Sequence, residues 1–163
     1  MFELIIIALL SEVILSERPS PPAIETSKSV NAPTAKCEFT VHKDGPKGPL
    51  VSGTALDVEL YYKIQCNPHD GYCLLVANCT LSSDEAGFKP YPIIDKLGCS
   101  LESSLYDNVE YLSTYTAGIR NPYPVRFRSS SGAVLLYCVT TLIPTEMDGT
   151  CPRSECAKPS TDS

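Results

Sequence analysis

Eight cysteines constrain this chain more than any other feature: Cys37, Cys66, Cys73, Cys79, Cys99, Cys138, Cys151 and Cys156. The count is even, and none falls in the first 36 residues. Disulfides need partners and an oxidising compartment, so the pattern predicts a chain that works outside the cell with structural cysteines. Structural zinc asks instead for close ligand pairs such as C-x2-C, usually repeated. Here six residues separate Cys66 from Cys73, five separate Cys73 from Cys79, and four separate Cys151 from Cys156. Only the last spacing suits a metal, and His42 and His69 do not complete a site. The sequence therefore predicts bridges, with no metal and no cofactor.

The net charge of -6 argues against nucleic acid, because phosphate binding needs a basic face. No run of Lys or Arg suggests an anionic membrane surface. Residues 1–16 contain the apolar run Leu4–Leu10, which reads as the core of a signal peptide with a cleavage point near Ser16, or as an incorrectly chosen start. The run is too short for a transmembrane helix, and nothing downstream reaches 18 apolar residues, so no membrane span is expected. Residues 17–36 are rich in Pro, Ser and Thr and read as a linker. Residues 37–156 are left as one domain, with 157–163 as a polar tail.

Inside that domain the hydrophobic period is two. Val58, Leu60, Tyr62, Ile64 and Cys66 share one face of a strand, with Glu59, Tyr61, Lys63 and Gln65 on the other. In Tyr72–Leu81 the set Cys73, Leu75, Ala77, Cys79 and Leu81 falls on one face. In Ala133–Ile143, Val134, Leu136, Cys138, Thr140 and Leu142 share a face, and the opposite set Leu135, Tyr137 and Val139 is also apolar, as in a strand covered on both sides. Shorter strands are expected at Cys37–Lys43 and Val125–Arg128, and a short helical turn within Leu101–Asn108. Gly-Pro, Asn-Pro, Asp-Gly and Ser-Gly pairs punctuate the rest. The expected class is all-β, an immunoglobulin-like sandwich stapled by disulfides. Cys66, Cys79 and Cys138 lie on apolar faces, where they are placed to bridge two sheets.

Several blocks resemble the C-terminal half of a zona pellucida (ZP) module, the ZP-C subdomain, in its nematode cuticlin-like form. Lys36-Cys37-Glu38-Phe39-Thr40-Val41 resembles the opening strand, with Gly45-Pro46 as its turn. Tyr61-Tyr62-Lys63-Ile64-Gln65-Cys66 is similar to the strand that ends in Trp-x-Cys, with Ile64 at the Trp position. Tyr72-Cys73-Leu74-Leu75-Val76-Ala77-Asn78-Cys79 resembles the Cys-Met-x-Val-His-x-Cys strand, with Ala77 at the His position. Ile93-Ile94-Asp95-Lys96-Leu97-Gly98-Cys99-Ser100-Leu101 resembles the Ile-Asp-x-x-Gly-Cys-x-Leu segment. Tyr137-Cys138, Cys151 and Cys156 follow in order. The resemblance runs from about residue 36 to 156 and takes in all eight cysteines. It implies the bridges Cys66–Cys99 and Cys79–Cys138. For the remaining four, the nearness of Cys37 to the turn after Cys66 favours Cys37–Cys73, with Cys151–Cys156 as a local clasp.

The resemblance also implies function: a non-enzymatic structural component of a cuticle-like extracellular matrix, secreted or at the cell surface, with other ZP-module proteins as partners. The N-terminal ZP half is not seen in the sequence, so the chain is expected to be monomeric alone. The alternative is a soluble extracellular module that regulates ZP assembly. Asn78-Cys79-Thr80 is the one N-glycosylation sequon, with Asn78 outward on its strand. No catalytic set emerges. His69-Asp70 sits in a polar turn with no Gly-x-Ser-x-Gly elbow to complete a triad. Asp84 and Glu85 read as a solvated loop, and Ser129–Ser131 as a hairpin tip. The chain has nine tyrosines and no Trp. Cuticlin-like proteins are associated with tyrosine cross-links, which makes Tyr61, Tyr111 and Tyr115 candidates, against the plainer reading that Tyr favours strands.

Overall fold

The computed structural model describes residues 33–51, 58–83, 87–123 and 134–157. Two antiparallel sheets form the sandwich. One has the order β1-β2-β6-β5 and the other β4-β3-β7. The strands are β1 (Cys37–Lys43), β2 (Leu60–Cys66), β3 (Tyr72–Ser83), β4 (Tyr91–Pro92), β5 (Glu110–Ser113), β6 (Thr116–Asn121) and β7 (Val134–Pro144). The all-β, disulfide-stapled sandwich expected from the alternation is the fold observed. The expected signal peptide, residues 17–32 of the expected linker, the Val125–Arg128 strand, the Ser129–Ser131 tip and the Asp84–Glu85 loop lie outside the described residues. Of the linker's last four residues, Ala35 is buried in the core and the Lys36 carbonyl accepts from the Asn67 N–H, so the domain begins before Cys37.

The core lies between the sheets. Ile64, Ala117 and Ile119 join Leu74, Val76, Leu81, Leu136 and Leu142 in one cluster, which Ile93, Ile94 and Tyr106 complete. β1 pairs along its whole length with β2, from Cys37 opposite Cys66 to Lys43 opposite Leu60. Past β1 the chain doubles back at Asp44 and Gly45, both at positive φ, and the Val51 N–H donates to the Val41 carbonyl. Within Leu101–Asn108 the expected turn is present. The Leu105 and Tyr106 N–H groups both donate to the Glu102 carbonyl, and this turn delivers the Tyr106 ring to the core.

β3 departs from simple alternation. Its register against β7 shifts between Ala77, opposite Val139, and Thr80, opposite Tyr137. One extra residue is held there, with Asn78 at φ 48°. A bulge of this kind reverses which parity faces inward. Before it Leu74 and Val76 face the core, and after it Cys79 and Leu81 do. The expected single face of Cys73, Leu75, Ala77, Cys79 and Leu81 is therefore corrected. Cys73 and Ala77 are buried, but away from the main core. β7 keeps its expected inner face of Leu136, Cys138, Thr140 and Leu142, while Leu135, Tyr137 and Val139 are half-buried.

Candidate functional site: the cystine framework and the C-terminal strap

Three bridges are formed. Cys37–Cys66 joins residues directly opposed across β1 and β2, with Cα atoms 3.9 Å apart. Cys79–Cys138 joins β3 to β7 at the bulge, with Cα atoms 4.1 Å apart. Cys99–Cys156 ties the loop after Ile94 to the C-terminal segment, at 5.4 Å. Cys79–Cys138 is the pair the resemblance implies. The other expected pairs, Cys66–Cys99, Cys37–Cys73 and Cys151–Cys156, are corrected. The reason is register: the hairpin sets Cys37 directly against Cys66, which leaves Cys99 to pair with Cys156. The expected bridging of two sheets is corrected too, since Cys37–Cys66 and Cys79–Cys138 each link neighbouring strands of one sheet.

The loop carrying Cys99 is rigidly built. The Asp95 carboxylate accepts from the Leu97 and Cys99 N–H groups at 2.8 and 2.9 Å. The Asp95 carbonyl accepts from the Asn78 N–H. Gly98 sits at φ 88°, where a Cβ would meet the Val76 carbonyl oxygen at 3.2 Å. The loop therefore presses against β3 and satisfies its exposed backbone.

Cys73 and Cys151 are free thiols, the first buried and the second half-buried. Cys151 belongs to a C-terminal strap that crosses β3 beside Cys73. Arg153 anchors that strap. Its Nε donates to the Leu74 carbonyl at 3.0 Å, a terminal nitrogen donates to the Thr114 carbonyl at 3.0 Å, and its guanidinium lies 3.6 Å over the Tyr111 ring. The Tyr111 hydroxyl in turn accepts from the Val76 N–H at 3.0 Å. Burial, reinforced by hydrogen bonding and the charge of Cys151, pushes the Cys73 thiol up to about 12 against the pull of Arg153.

The tyrosine candidates are corrected in part. Tyr61 lies on the outer face of β2 as expected, yet it is only 1% exposed, and its hydroxyl donates to Glu110 at 2.5 Å. Tyr111 is covered by Arg153, and the Tyr115 hydroxyl donates to the His69 carbonyl. The tyrosines that face solvent are Tyr91 and Tyr123, at 47% and 68% exposure. Sequence parity could not find them, because neither lies in a long alternating strand. The Asn78 side chain is exposed on the bulge. His69 contributes its carbonyl to Tyr115 and Tyr72, which suits a structural turn. Among the described residues, no group of three or more His, Cys, Asp or Glu is placed to hold a metal, and no helix is long and apolar enough to cross a membrane.

The description "Cuticlin C-terminal domain" matches residues 33–159, which span the whole sandwich and the strap. The chain belongs to the cuticlin C-terminal domain family. Three relatives from Caenorhabditis elegans illustrate the likeness. Cuticlin-3 is 26% identical over 129 residues, covering 78% of this chain and 32% of that protein. Cuticlin-1 is 23% identical over 129 residues, covering 78% and 30%. Cuticlin-5 is 30% identical over 100 residues, covering 60% and 24%. The chain thus spans a third or less of these cuticlins' own length. No solved structure matches it significantly.

Proposed function

We propose that this cuticlin-family chain is a secreted, non-enzymatic structural component of a cuticle-type extracellular matrix, and that its sandwich is a ZP-C-like module that joins or supports filaments of ZP-module proteins. The observation that carries the reading is the coincidence of the family match, residues 33–159, with a sandwich whose strands are covalently stapled in pairs. Cross-strand cystines suit a part that must survive outside the cell without turnover. The described edges are unequal. β4 is two residues long and ends in Pro92, β5 is four residues with Glu110 at its start, and β1 is partly covered by its own loop at Val51. β7, eleven residues long, offers the longest edge for a partner strand. Sequential extraction of the tagged protein from its native matrix tests the reading. Retention in the detergent-insoluble residue until strong reductant is added supports a structural component. Release by detergent alone as a monodisperse complex replaces it with a soluble regulator of assembly.

A further inference from the structure

We propose that Cys73 and Cys151 close a fourth disulfide by exchange with an external disulfide, and that this bond locks the C-terminal strap across β3. The two free thiols come from residues far apart in sequence, and the strap sets them side by side. Arg153 is fixed to the carbonyls of Leu74 and Thr114 and to the Tyr111 ring, so the residue two positions before it is held beside the residue that precedes Leu74. The other end of the strap is held by Cys99–Cys156.

The accessible member starts the exchange. The Cys151 thiolate attacks one sulfur of a small-molecule or protein disulfide, forming a mixed disulfide and releasing one thiolate. The Cys73 thiolate then attacks the Cys151 sulfur, forming the Cys73–Cys151 bond and expelling the second thiolate. The two protons lost by the cysteines are taken up by the two released thiolates. The external disulfide is reduced by two electrons, and the cysteine pair is oxidised by two. Burial of Cys73 disfavours its thiolate, which suits the less buried Cys151 as the member that attacks first.

The chemistry rests on the extracellular reading only for its natural oxidant. The test supplies oxidised glutathione instead, so the proposal and that reading fail separately. The full chain is incubated with oxidised glutathione, unfolded, alkylated and weighed intact. Wild type is expected to take up no alkyl group, Cys151→Ser one, at Cys73, and Cys73→Ser/Cys151→Ser none. Peptide mapping after combined chymotrypsin and trypsin digestion should recover Cys73 joined to Cys151. The lock itself is read by tryptic cleavage after Arg153, which should be several-fold slower in oxidised wild type than in the double variant. Two alkylated cysteines in oxidised wild type, a free thiol at another position in Cys151→Ser, or equal cleavage rates would each overturn the proposal.

Discussion

Gly118 lies directly beneath the ring of Tyr61. A Cβ at position 118 would sit 2.0 Å from the Tyr61 hydroxyl oxygen and 2.2 Å from the carbon that bears it. Register explains this: Gly118 on β6 faces Lys63 on one side and Glu110 on the other, and Tyr61 reaches across it to donate to Glu110. Glycine in mid-strand normally weakens a sheet, and it is kept where another group approaches the backbone closely. Here it lets an outward tyrosine lie flat and become buried. Gly118→Ala should therefore displace the ring and lower stability by about 1–3 kcal/mol. Thermal unfolding of the secreted variant checks this, and an unchanged midpoint would contradict it.

Tyr61 and Tyr106 give the fold an alkaline limit. Burial raises both hydroxyls above their ordinary value of 10.0, with Glu110 adding to the effect on Tyr61 and Tyr62 to that on Tyr106. In the unfolded chain both ionise near that ordinary value, while the folded chain keeps its protons. Their contribution is fully present below pH 10 and is lost as pH rises further, because the unfolded state then releases protons that the folded state cannot. Unfolding followed by circular dichroism should set in above pH 10, with tyrosinate absorbance from these two residues appearing in step with it. Full tyrosinate absorbance from a still-folded protein would contradict the burial argument.

Cys79→Ser should cost roughly 3–5 kcal/mol, because it opens a bridge whose partners are 59 residues apart in sequence. It also leaves the Cys138 thiol stranded in the core, where both half-cystines are buried. Secretion should fall sharply, and the material that escapes should alkylate at Cys138 once unfolded. Wild-type secretion and melting would show that this bridge does not hold β3 to β7.

Asn78 is placed for glycosylation at the bulge, its side chain exposed and its backbone in the left-handed region that asparagine tolerates. Thr80→Ala removes the sequon without altering that backbone. Expressed in a host that glycosylates, the wild-type chain should carry a glycan-sized mass at Asn78 that Thr80→Ala lacks. Equal masses would show that the sequon is unused, as closure of the neighbouring Cys79 bridge before transfer would cause.

Much of the fold was legible because alternation is a strong signal. β1, β2 and β7 lie within a residue or two of their expected bounds, and the inner face of β7 is the one its parity gave. β5 and β6 were not foreseen. β6 reads Thr-Ala-Gly-Ile-Arg-Asn, too short and too poor in large apolar residues to stand out, yet it is a central strand between β2 and β5. Its worth comes from Tyr61, a partner far away in sequence. The bulge at Asn78 was hidden for the same reason, since a bulge is a relation between two strands. Cysteine pairing was legible only where the resemblance supplied it. Parity places a half-cystine on a face, but register decides which neighbour it meets, and register set Cys37 against Cys66.

The proposed role makes its sharpest claim about assembly: the sandwich is a part that joins filaments through other chains. Arg120 pairs with Glu59 and Asp107 on the outside of its sheet, which keeps that face charged and discourages self-stacking. Light scattering of the purified chain, alone and then mixed with a protein that carries an N-terminal ZP half, followed by electron microscopy, tests this most directly. The account predicts a monomer or weak associate alone and regular filaments containing the chain in the mixture. Regular filaments from the chain alone, or filaments in the mixture that exclude it, would contradict the account.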